Sequence, residues 1–271
     1  VIKQKFPAVI LIENKINAIL PRTKSKQQVS TNKHIWISYG LKDFYKVFLE
    51  DVNYLKPILK DGVKIYALID VANGHMPIIK EYVEKSKELY DDHLVLMVGN
   101  VANPKTYEIL SNAGAQYIRV GIGNGGACLT TQQTAIGYPM ASLISDIYEI
   151  SCQLNNPAKI VADGGFKKYA DIIKALALGA DYVMLGSLLN KSLESCADTY
   201  LANVKHDGGW TEPGDQVDQY SPEIINKFTN GVKMFKKFRG MSTKEVQKSL
   251  GNTDIKTSEG IVKMQAVEYT L

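Results

Sequence analysis

The feature that most limits the fold of this chain is a rhythm in which seven short apolar runs alternate with amphipathic stretches. Most of the runs are continuously hydrophobic, which is typical of parallel strands buried on both faces. They cover residues 17–20, 34–38, 64–70, 94–98, 117–120, 159–162 and 182–185. Helical periodicity appears between them, over 77–90 with Pro77 in the first turn and over 169–178 before Gly179. The pattern predicts an α/β fold, a (β/α)8 barrel with its first strand missing from this sequence.

A doubly wound open sheet is the alternative to a barrel, and the residues that follow each strand bear on the choice. Polar or glycine residues stand at these positions: Arg22, Asp70, Asn100, 121–126, 163–165 and 186–187. In a barrel the carboxyl ends of all strands converge on one face, where active sites are built, whereas an open sheet scatters many of them. This arrangement favours the barrel.

The segment 190–238 breaks the rhythm, because it contains few apolar positions and several glycines and prolines. We expect a single catalytic domain over 1–271, with 190–238 as an irregular excursion that serves as a lid or an interface arm.

The amino-acid composition indicates the cellular compartment of the protein and the kinds of ligand that it binds. The three cysteines are odd in number and lack the spacing of a metal site, which predicts free thiols in a reducing compartment. We find neither an apolar run long enough to span a membrane nor a signal-peptide pattern, so we expect a cytoplasmic protein without a membrane partner. The net charge of +4 is spread along the chain, which argues against nucleic acid and suits a phosphorylated small molecule.

A glycine-rich loop follows the run 117–120, with four glycines between Gly121 and Gly126. Such a loop exposes backbone N–H groups and lets a ligand approach the main chain closely. Cys128 and Thr130 come next, which makes Cys128 a candidate nucleophile and places a hydroxyl near the same ligand. A structural loop with a buried cysteine is the alternative reading of this segment alone.

The loops after the last two predicted strands, 163–165 and 186–187, also contain glycines. In barrels these two loops frequently bind phosphate through backbone amides, to which Gly125 and Gly126 can add donors. Asp163 suits a different role, since its carboxylate can accept hydrogen bonds from ribose hydroxyls. Glu259 is a surface glutamate by default and matters only if the fold brings it back to Cys128.

Taken together, these motifs resemble the IMP dehydrogenase/GMP reductase family of barrel enzymes over about 19–260. The segments that carry the resemblance are 70–74, 99–101, 121–130, 137–139, 162–165, 183–187, 240–242 and 258–260.

The resemblance implies roles for individual residues. Cys128 matches the nucleophile that attacks C2 of a purine nucleotide, while Thr130 and Glu259 match the pair that handles ammonia in the reductase branch. The implied substrate-binding residues are Gly126, Asp163, Gly164, Gly165, Gly186, Ser187, Met241, Ser242 and Gly260. The implied cofactor-binding residues are Arg22, Asp70 and Asn100. Some family members also bind a monovalent cation, K+, at a cysteine loop that corresponds here to Gly123, Gly125 and Cys128.

The branch of the family is indicated by what the C-terminal segment lacks. The dehydrogenases use an Arg-Tyr pair on a flap to activate water, and this chain has no arginine after Arg239. The span 241–259 is short, as in the reductases, although Ser187 is closer to the dehydrogenase form. The resemblance therefore predicts a GMP reductase that uses NADPH to convert GMP to IMP and ammonia, and a homotetramer. An IMP dehydrogenase-like enzyme or a non-catalytic nucleotide-binding homologue are the alternatives.

The chain departs from the family pattern within the cysteine loop. Asn124, Gly126 and Thr131 stand where the family usually has Pro, Ser and Arg. The missing serine removes a hydroxyl expected near the phosphate and leaves the presence of a cation site undecided at the level of sequence.

Overall fold

A computed structural model describes residues 16–20, 29–59, 62–126, 128–204, 210–239, 243–244, 248 and 260–270. The described chain divides into two compact units. The parallel-sheet unit contains the described residues between 16 and 125 and between 130 and 184. The antiparallel-sheet unit contains those between 126 and 129 and between 185 and 270. The prediction of a single catalytic domain over 1–271 stays a prediction.

Seven parallel strands form one sheet in sequence order, as the rhythm of the sequence predicts. The strands are β1 (Ala18–Leu20), β2 (Ile35–Tyr39), β3 (Ile65–Asp70), β4 (Leu94–Val101), β5 (Tyr117–Val120), β6 (Lys159–Asp163) and β7 (Tyr182–Met184). Each strand pairs in parallel with the next. An all-parallel sheet in strict sequence order is that of a partial (β/α)8 barrel, which confirms the predicted fold class.

From β2 to β7, helices connect successive strands. They are α1 (Leu41–Phe44), continued by a π-helical turn over Tyr45–Glu50, α2 (Pro77–Tyr90), α3 (Pro104–Asn112), α4 (Thr130–Thr134), α5 (Met140–Ser151) and α6 (Tyr169–Ala177). The sequence explains where α3 begins: Pro104 occupies the first turn, and the Asn103 side chain accepts a hydrogen bond from the Lys105 N–H at 2.7 Å. In α2, Ile79, Val83 and Tyr90 are buried, which is the face that the periodicity predicts.

The two faces of the parallel sheet differ in what they bury. Because side chains alternate along a strand, Ala67, Val98 and Ile118 point to one face, where they are fully buried. On the other face a second cluster is formed by Trp36, Leu68, Met97 and Val161. Asp70, Arg119 and Asp163 follow this cluster at alternate positions, so the apolar face ends in a polar layer at the carboxyl ends of the strands.

The segment 190–238 differs from its predicted irregularity. It contains the strands β8 (Thr199–Val204), β9 (Trp210–Val217) and β10 (Met234–Arg239), and the helix α7 (Pro222–Thr229). With β11 (Val262–Ala266) the strands form an antiparallel sheet in the order β11-β10-β8-β9. A small cluster of Leu193, Ile224, Met234 and Val267 packs in this unit. The few apolar residues of the segment are thus enough for a small core, and its role as a lid or interface arm stays a prediction.

Candidate active site

Four polar side chains lie at or near the carboxyl ends of four neighbouring strands in the parallel-sheet unit. Asp70 ends β3, Asn100 lies near the end of β4, Arg119 lies in β5 and Asp163 ends β6. Parallel strands bring their carboxyl ends to the same edge of a sheet, which is why residues far apart in sequence meet here. We call these four residues the strand-end cluster.

Hydrogen bonds join the strand-end cluster into one network. Arg119 donates from Nε to Asn100 Oδ1 and from its terminal nitrogen to Asp70 Oδ1. Its Nε also lies 3.5 Å from Asp163 Oδ2. Asn100 Nδ2 in turn donates to Asp163 Oδ2 at 2.8 Å and to the main-chain oxygen of Gly121 at 2.7 Å. The sequence predicted that Asp70, Asn100 and Asp163 converge, and the structure brings them together.

The cluster is partly shielded from solvent. The side chains of Arg119, Asp70 and Asp163 are 12%, 19% and 26% exposed. Two carboxylates and one guanidinium give it a net charge of −1. Screening by salt is weak at this burial, so the charges fix one another's positions more firmly than a surface pair does.

Arg119 and Ser38 are members of this site that the sequence reading missed. Ser38 Oγ donates to Asp70 Oδ2 at 2.7 Å, so each oxygen of that carboxylate is bound by the protein. For Arg119 a signal was available, because a cation within the otherwise hydrophobic run 117–120 needs a partner when the strand is buried. Ser38 gives no comparable signal, since a small polar residue in a strand is common.

Asp163 offers an acceptor to a ligand. Its Oδ2 is bound by Asn100, whereas no donor among the described residues bonds to its Oδ1. The side chain is partly exposed. A half-used carboxylate of this kind can accept hydrogen bonds from ribose hydroxyls, the role that the sequence suggested.

Gly164 and Gly165 follow Asp163 with φ angles of +95° and +89°. A Cβ on Gly164 would lie 2.9 Å from the main-chain nitrogen of Gly125, so the two glycine loops approach too closely for any larger residue. The N–H groups of Gly164 and Gly165 donate to no acceptor among the described residues. Unused backbone donors in a loop of this kind can bind an anion.

The two residues directly before the next helix already use their N–H groups. Asp171 Oδ2 accepts hydrogen bonds from the N–H groups of Lys167 and Lys168, at 3.0 and 3.1 Å. These bonds lower the pKa of Asp171 from its usual value, because they stabilise the charged carboxylate. The N–H groups of these two lysines are therefore not available to a phosphate, unlike those of the two glycines.

His75 braces the loop that follows β3. Its Nδ1 lies 2.7 Å from Thr106 Oγ1, and its Nε2 accepts a hydrogen bond from the Ala102 N–H at 3.1 Å. Burial lowers the pKa of His75, which favours the neutral ring that such an acceptor requires. The loops after β3 and β4, which position Asp70 and Asn100, are thereby tied to each other.

Cys128 lies in the antiparallel-sheet unit, where it is partly buried and is not part of a disulfide among the described residues. It forms an isolated antiparallel backbone bridge with Gly260. Lys263 Nζ donates to the main-chain oxygen of Gly126 at 2.7 Å, so two contacts connect the cysteine loop to the start of β11. The cysteine therefore lies beside Gly260, the residue that follows Glu259 in the sequence.

The remaining predicted residues divide between the two units or lie outside the described chain. Thr130 begins α4 in the parallel-sheet unit, and its side chain is partly buried. In the antiparallel-sheet unit, Gly186 is exposed and Ser187 partly buried, directly before a short helical turn over Leu189–Lys191. Arg22, Met241, Ser242 and Glu259 lie outside the described residues. The cation site at Gly123, Gly125 and Cys128 stays a prediction.

Within the part of the chain that the structure describes, no group of three or more His, Cys, Asp or Glu side chains is placed to hold a metal ion. In the same part, none of the helices is both long and apolar enough to cross a membrane.

Comparison with known proteins identifies the class to which this fold and site belong. The family model described as the IMP dehydrogenase / GMP reductase domain matches residues 46–264. The chain therefore belongs to the IMP dehydrogenase/GMP reductase family, oxidoreductases that act on purine nucleotides with nicotinamide cofactors.

Some relatives are named GMP reductase and others inosine-5'-monophosphate dehydrogenase. The chain is 39% identical over 158 residues to a GMP reductase of Buchnera aphidicola subsp. Baizongia pistaciae, which covers 58% of this chain and 42% of the relative. It is 32% identical over 213 residues to a GMP reductase of Phytophthora infestans, and the match covers 78% of this chain and 50% of that relative. An inosine-5'-monophosphate dehydrogenase of Methanocaldococcus jannaschii is 41% identical over 154 residues, and the match covers 56% of this chain and 30% of that relative. The chain spans half or less of the length of these relatives.

Proposed function

We propose that this chain is a GMP reductase, which converts GMP to IMP and ammonia through a covalent bond between Cys128 and the purine. The overall reaction consumes GMP, NADPH and two protons and yields IMP, NADP+ and NH4+. The observation that carries the proposal is the backbone bridge between Cys128 and Gly260. It joins the cysteine of the glycine loop to Gly260, which directly follows Glu259 in the sequence.

The nucleotide would be held by the glycines and by Asp163. Unused N–H groups of Gly164 and Gly165 suit a phosphate, and Asp163 Oδ1 suits the ribose hydroxyls. Gly186 and Ser187 are proposed to complete the phosphate site, and Met241, Ser242 and Gly260 to contact the purine.

The chemistry of the strand-end cluster fits a nicotinamide ring. Asp70 and Asn100 present acceptor oxygens, and Asn100 Oδ1 can accept a second hydrogen bond beside that from Arg119. Such acceptors pair with the N–H donors of a carboxamide, so we assign Asp70, Asn100 and Arg22 to the cofactor. When bound, NADPH supplies the hydride that C2 of the purine receives.

The chain itself supplies the nucleophile and the proton transfer. The thiolate of Cys128 forms a bond to C2, and the 2-amino group leaves as ammonia once it has gained a proton. Thr130 and Glu259 are proposed to transfer that proton. After C2 is reduced, cleavage of its bond to sulfur restores the thiolate and releases IMP.

An IMP dehydrogenase is the second candidate. Two dehydrogenases, from Methanocaldococcus jannaschii and Chlorobaculum parvum, are 41% and 35% identical to the chain over the matched residues. The absence of arginine after Arg239 argues against it, because the dehydrogenase flap needs that side chain. A homotetramer, a cytoplasmic location, a K+ site and the lack of nucleic-acid and membrane partners are further proposals that rest on the family resemblance or on composition.

Absorbance at 340 nm tests the proposal. With GMP and NADPH we expect the wild-type protein to consume NADPH, and Cys128→Ala to lower kcat by at least about a thousandfold, because a covalent step loses its nucleophile. Cys152→Ala is the matched control, since Cys152 is an exposed free thiol at the end of α5, and it should turn over normally.

The other outcomes are equally informative. Turnover that survives in Cys128→Ala would exclude the covalent route. NADH formation from IMP and NAD+, without NADPH consumption from GMP, would establish the dehydrogenase instead. Tight GMP binding without either reaction would indicate a binding homologue or another purine substrate.

A further inference from the structure

Arg119 holds a position in the strand-end cluster for which the proposed chemistry gives no role. Its guanidinium is only 12% exposed and faces groups from three other strands. It bonds to Asp70 and Asn100 and lies 3.5 Å from Asp163. It thereby touches every residue of the cluster, both the two assigned to the nicotinamide and the one assigned to the ribose.

The guanidinium also helps to fix the orientation of Asn100. An amide side chain has an oxygen that accepts and a nitrogen that donates, and the two ends are nearly equal in size. Since Arg119 Nε can only donate, Asn100 Oδ1 must face it, and Nδ2 is then directed to Asp163 and Gly121. The Gly121 and Asp163 oxygens favour the same orientation of the amide, so Arg119 is the partner that holds Oδ1 in place while these two oxygens hold Nδ2.

Charge gives a second reason why the cluster depends on this residue. Asp70 and Asp163 are both carboxylates, and among the described residues Arg119 is a cation that contacts both. Removing it would take a shared positive charge away from two like charges in a partly buried place, where repulsion would favour their movement apart. Lysine would keep the charge, but its single nitrogen cannot reproduce a planar fork that donates in two directions.

The geometry points to Arg119 as a positioning residue that couples the two ligand positions. Through Asn100 it fixes Asp163 with Oδ1 free for the ribose, and through Asp70 and Asn100 it fixes the acceptors for the nicotinamide. This inference rests on the proposed function for the identity of both ligands. It goes beyond that function in assigning the coupling to a side chain that needs to touch neither of them.

The preference of the protein for a nucleotide with ribose hydroxyls over one that lacks them measures this role directly. Calorimetric binding of GMP and of 2',3'-dideoxy-GMP gives two dissociation constants, whose ratio reports the contacts of the hydroxyls. We expect wild-type protein to favour GMP about tenfold or more, since hydrogen bonds from the hydroxyls to a charged carboxylate strengthen binding. Arg119→Met should bring the ratio close to one, and Arg119→Lys should give an intermediate value.

A double variant shows that Arg119 acts through Asp163. Asp163→Asn alone should lose the discrimination, and Arg119→Met added to it should weaken GMP binding little further. Tyr117→Phe is the matched control, because Tyr117 lies two positions earlier in β5 on the same sheet face and outside the cluster. It should keep the wild-type ratio.

The results separate the inference from the function on which it rests. Wild-type protein that binds no GMP would overturn the proposed function and the inference with it. Wild-type protein that discriminates between the two nucleotides, together with an Arg119→Met variant that is less stable yet discriminates equally well, would overturn the inference alone. Fully additive losses in the double variant would also overturn it, because two independent contacts would then be involved.

Discussion

One cation in each unit of this protein, Arg119 and Lys236, is held in a different way. In the parallel-sheet unit, Arg119 is bound by side chains, two of which are carboxylates. In the antiparallel-sheet unit, Lys236 donates to the main-chain oxygens of Ser195 and Ala197 at 2.9 and 3.3 Å, and Lys263 donates to that of Gly126. Carboxylates compensate the charge of a buried cation, whereas carbonyl oxygens satisfy its donors without neutralising it.

Burial changes the pKa of Lys236. Lys236 is fully buried, and burial lowers its pKa to about 8, although the charges of Cys196, Glu194 and Asp198 partly oppose that shift. The strand-end cluster therefore balances its cation with two carboxylates, while the antiparallel-sheet unit contains a buried group whose charge depends on pH.

The largest expected effect is a change with pH in the free energy of unfolding, caused by Lys236. An unfolded lysine loses its proton near pH 10.4 and the folded one near pH 8, so between these values the unfolded state binds more protons and stability rises with pH. Relative to Lys236→Met, the free energy of unfolding of the wild type should increase by about 2–3 kcal/mol between pH 7 and pH 10. Urea unfolding of both proteins measures it, and a pH-independent difference would show that Lys236 does not titrate in this range.

A smaller loss of stability is expected when Gly99 is substituted, because it packs closely against Arg119 of the strand-end cluster. A Cβ on Gly99 would lie 2.5 Å from Arg119 Cβ and 2.7 Å from its main-chain oxygen, and the main chain cannot rotate away. Gly99→Ala should destabilise the protein by about 1–3 kcal/mol. Gly126→Ala is the control for thermal unfolding, because a Cβ there meets nothing within 4 Å. Equal melting temperatures for the two variants would contradict the close approach of β4 and β5.

The smallest effect is expected at Lys263, which steadies the cysteine loop from an exposed position. Lys263→Met should lower kcat with GMP about two- to fivefold, the equivalent of one hydrogen bond of modest net strength, and Lys263→Arg should recover most of it. Lys191→Met serves as the control, since Lys191 pairs with Glu268 in the same unit. A loss of kcat as large in the control as in Lys263→Met would mean that the contact with Gly126 has no special role.

Much of the parallel-sheet unit could be predicted from the sequence. Its strands are hydrophobic on both faces, so each appears as a continuous run, and helices such as α2 show periodicity with a proline at the start. The antiparallel sheet was not predicted, because β9 and β10 are rich in polar residues such as Glu212 and Lys237 and show no long hydrophobic run. A one-sided sheet in a small unit gives a weaker signal than a strand buried on both faces.

The sequence by itself determined which residue types are available for chemistry and where the strands that carry them end: Asp70, Asn100 and Asp163 could be named because each follows or closes a hydrophobic run. Only the tertiary structure decided their partners. That Arg119 binds all three, and that Gly260 returns to Cys128 across more than a hundred residues, depends on which strands lie side by side. Strand pairing is set by packing over the whole sheet, a long-range property that no local pattern of residues contains.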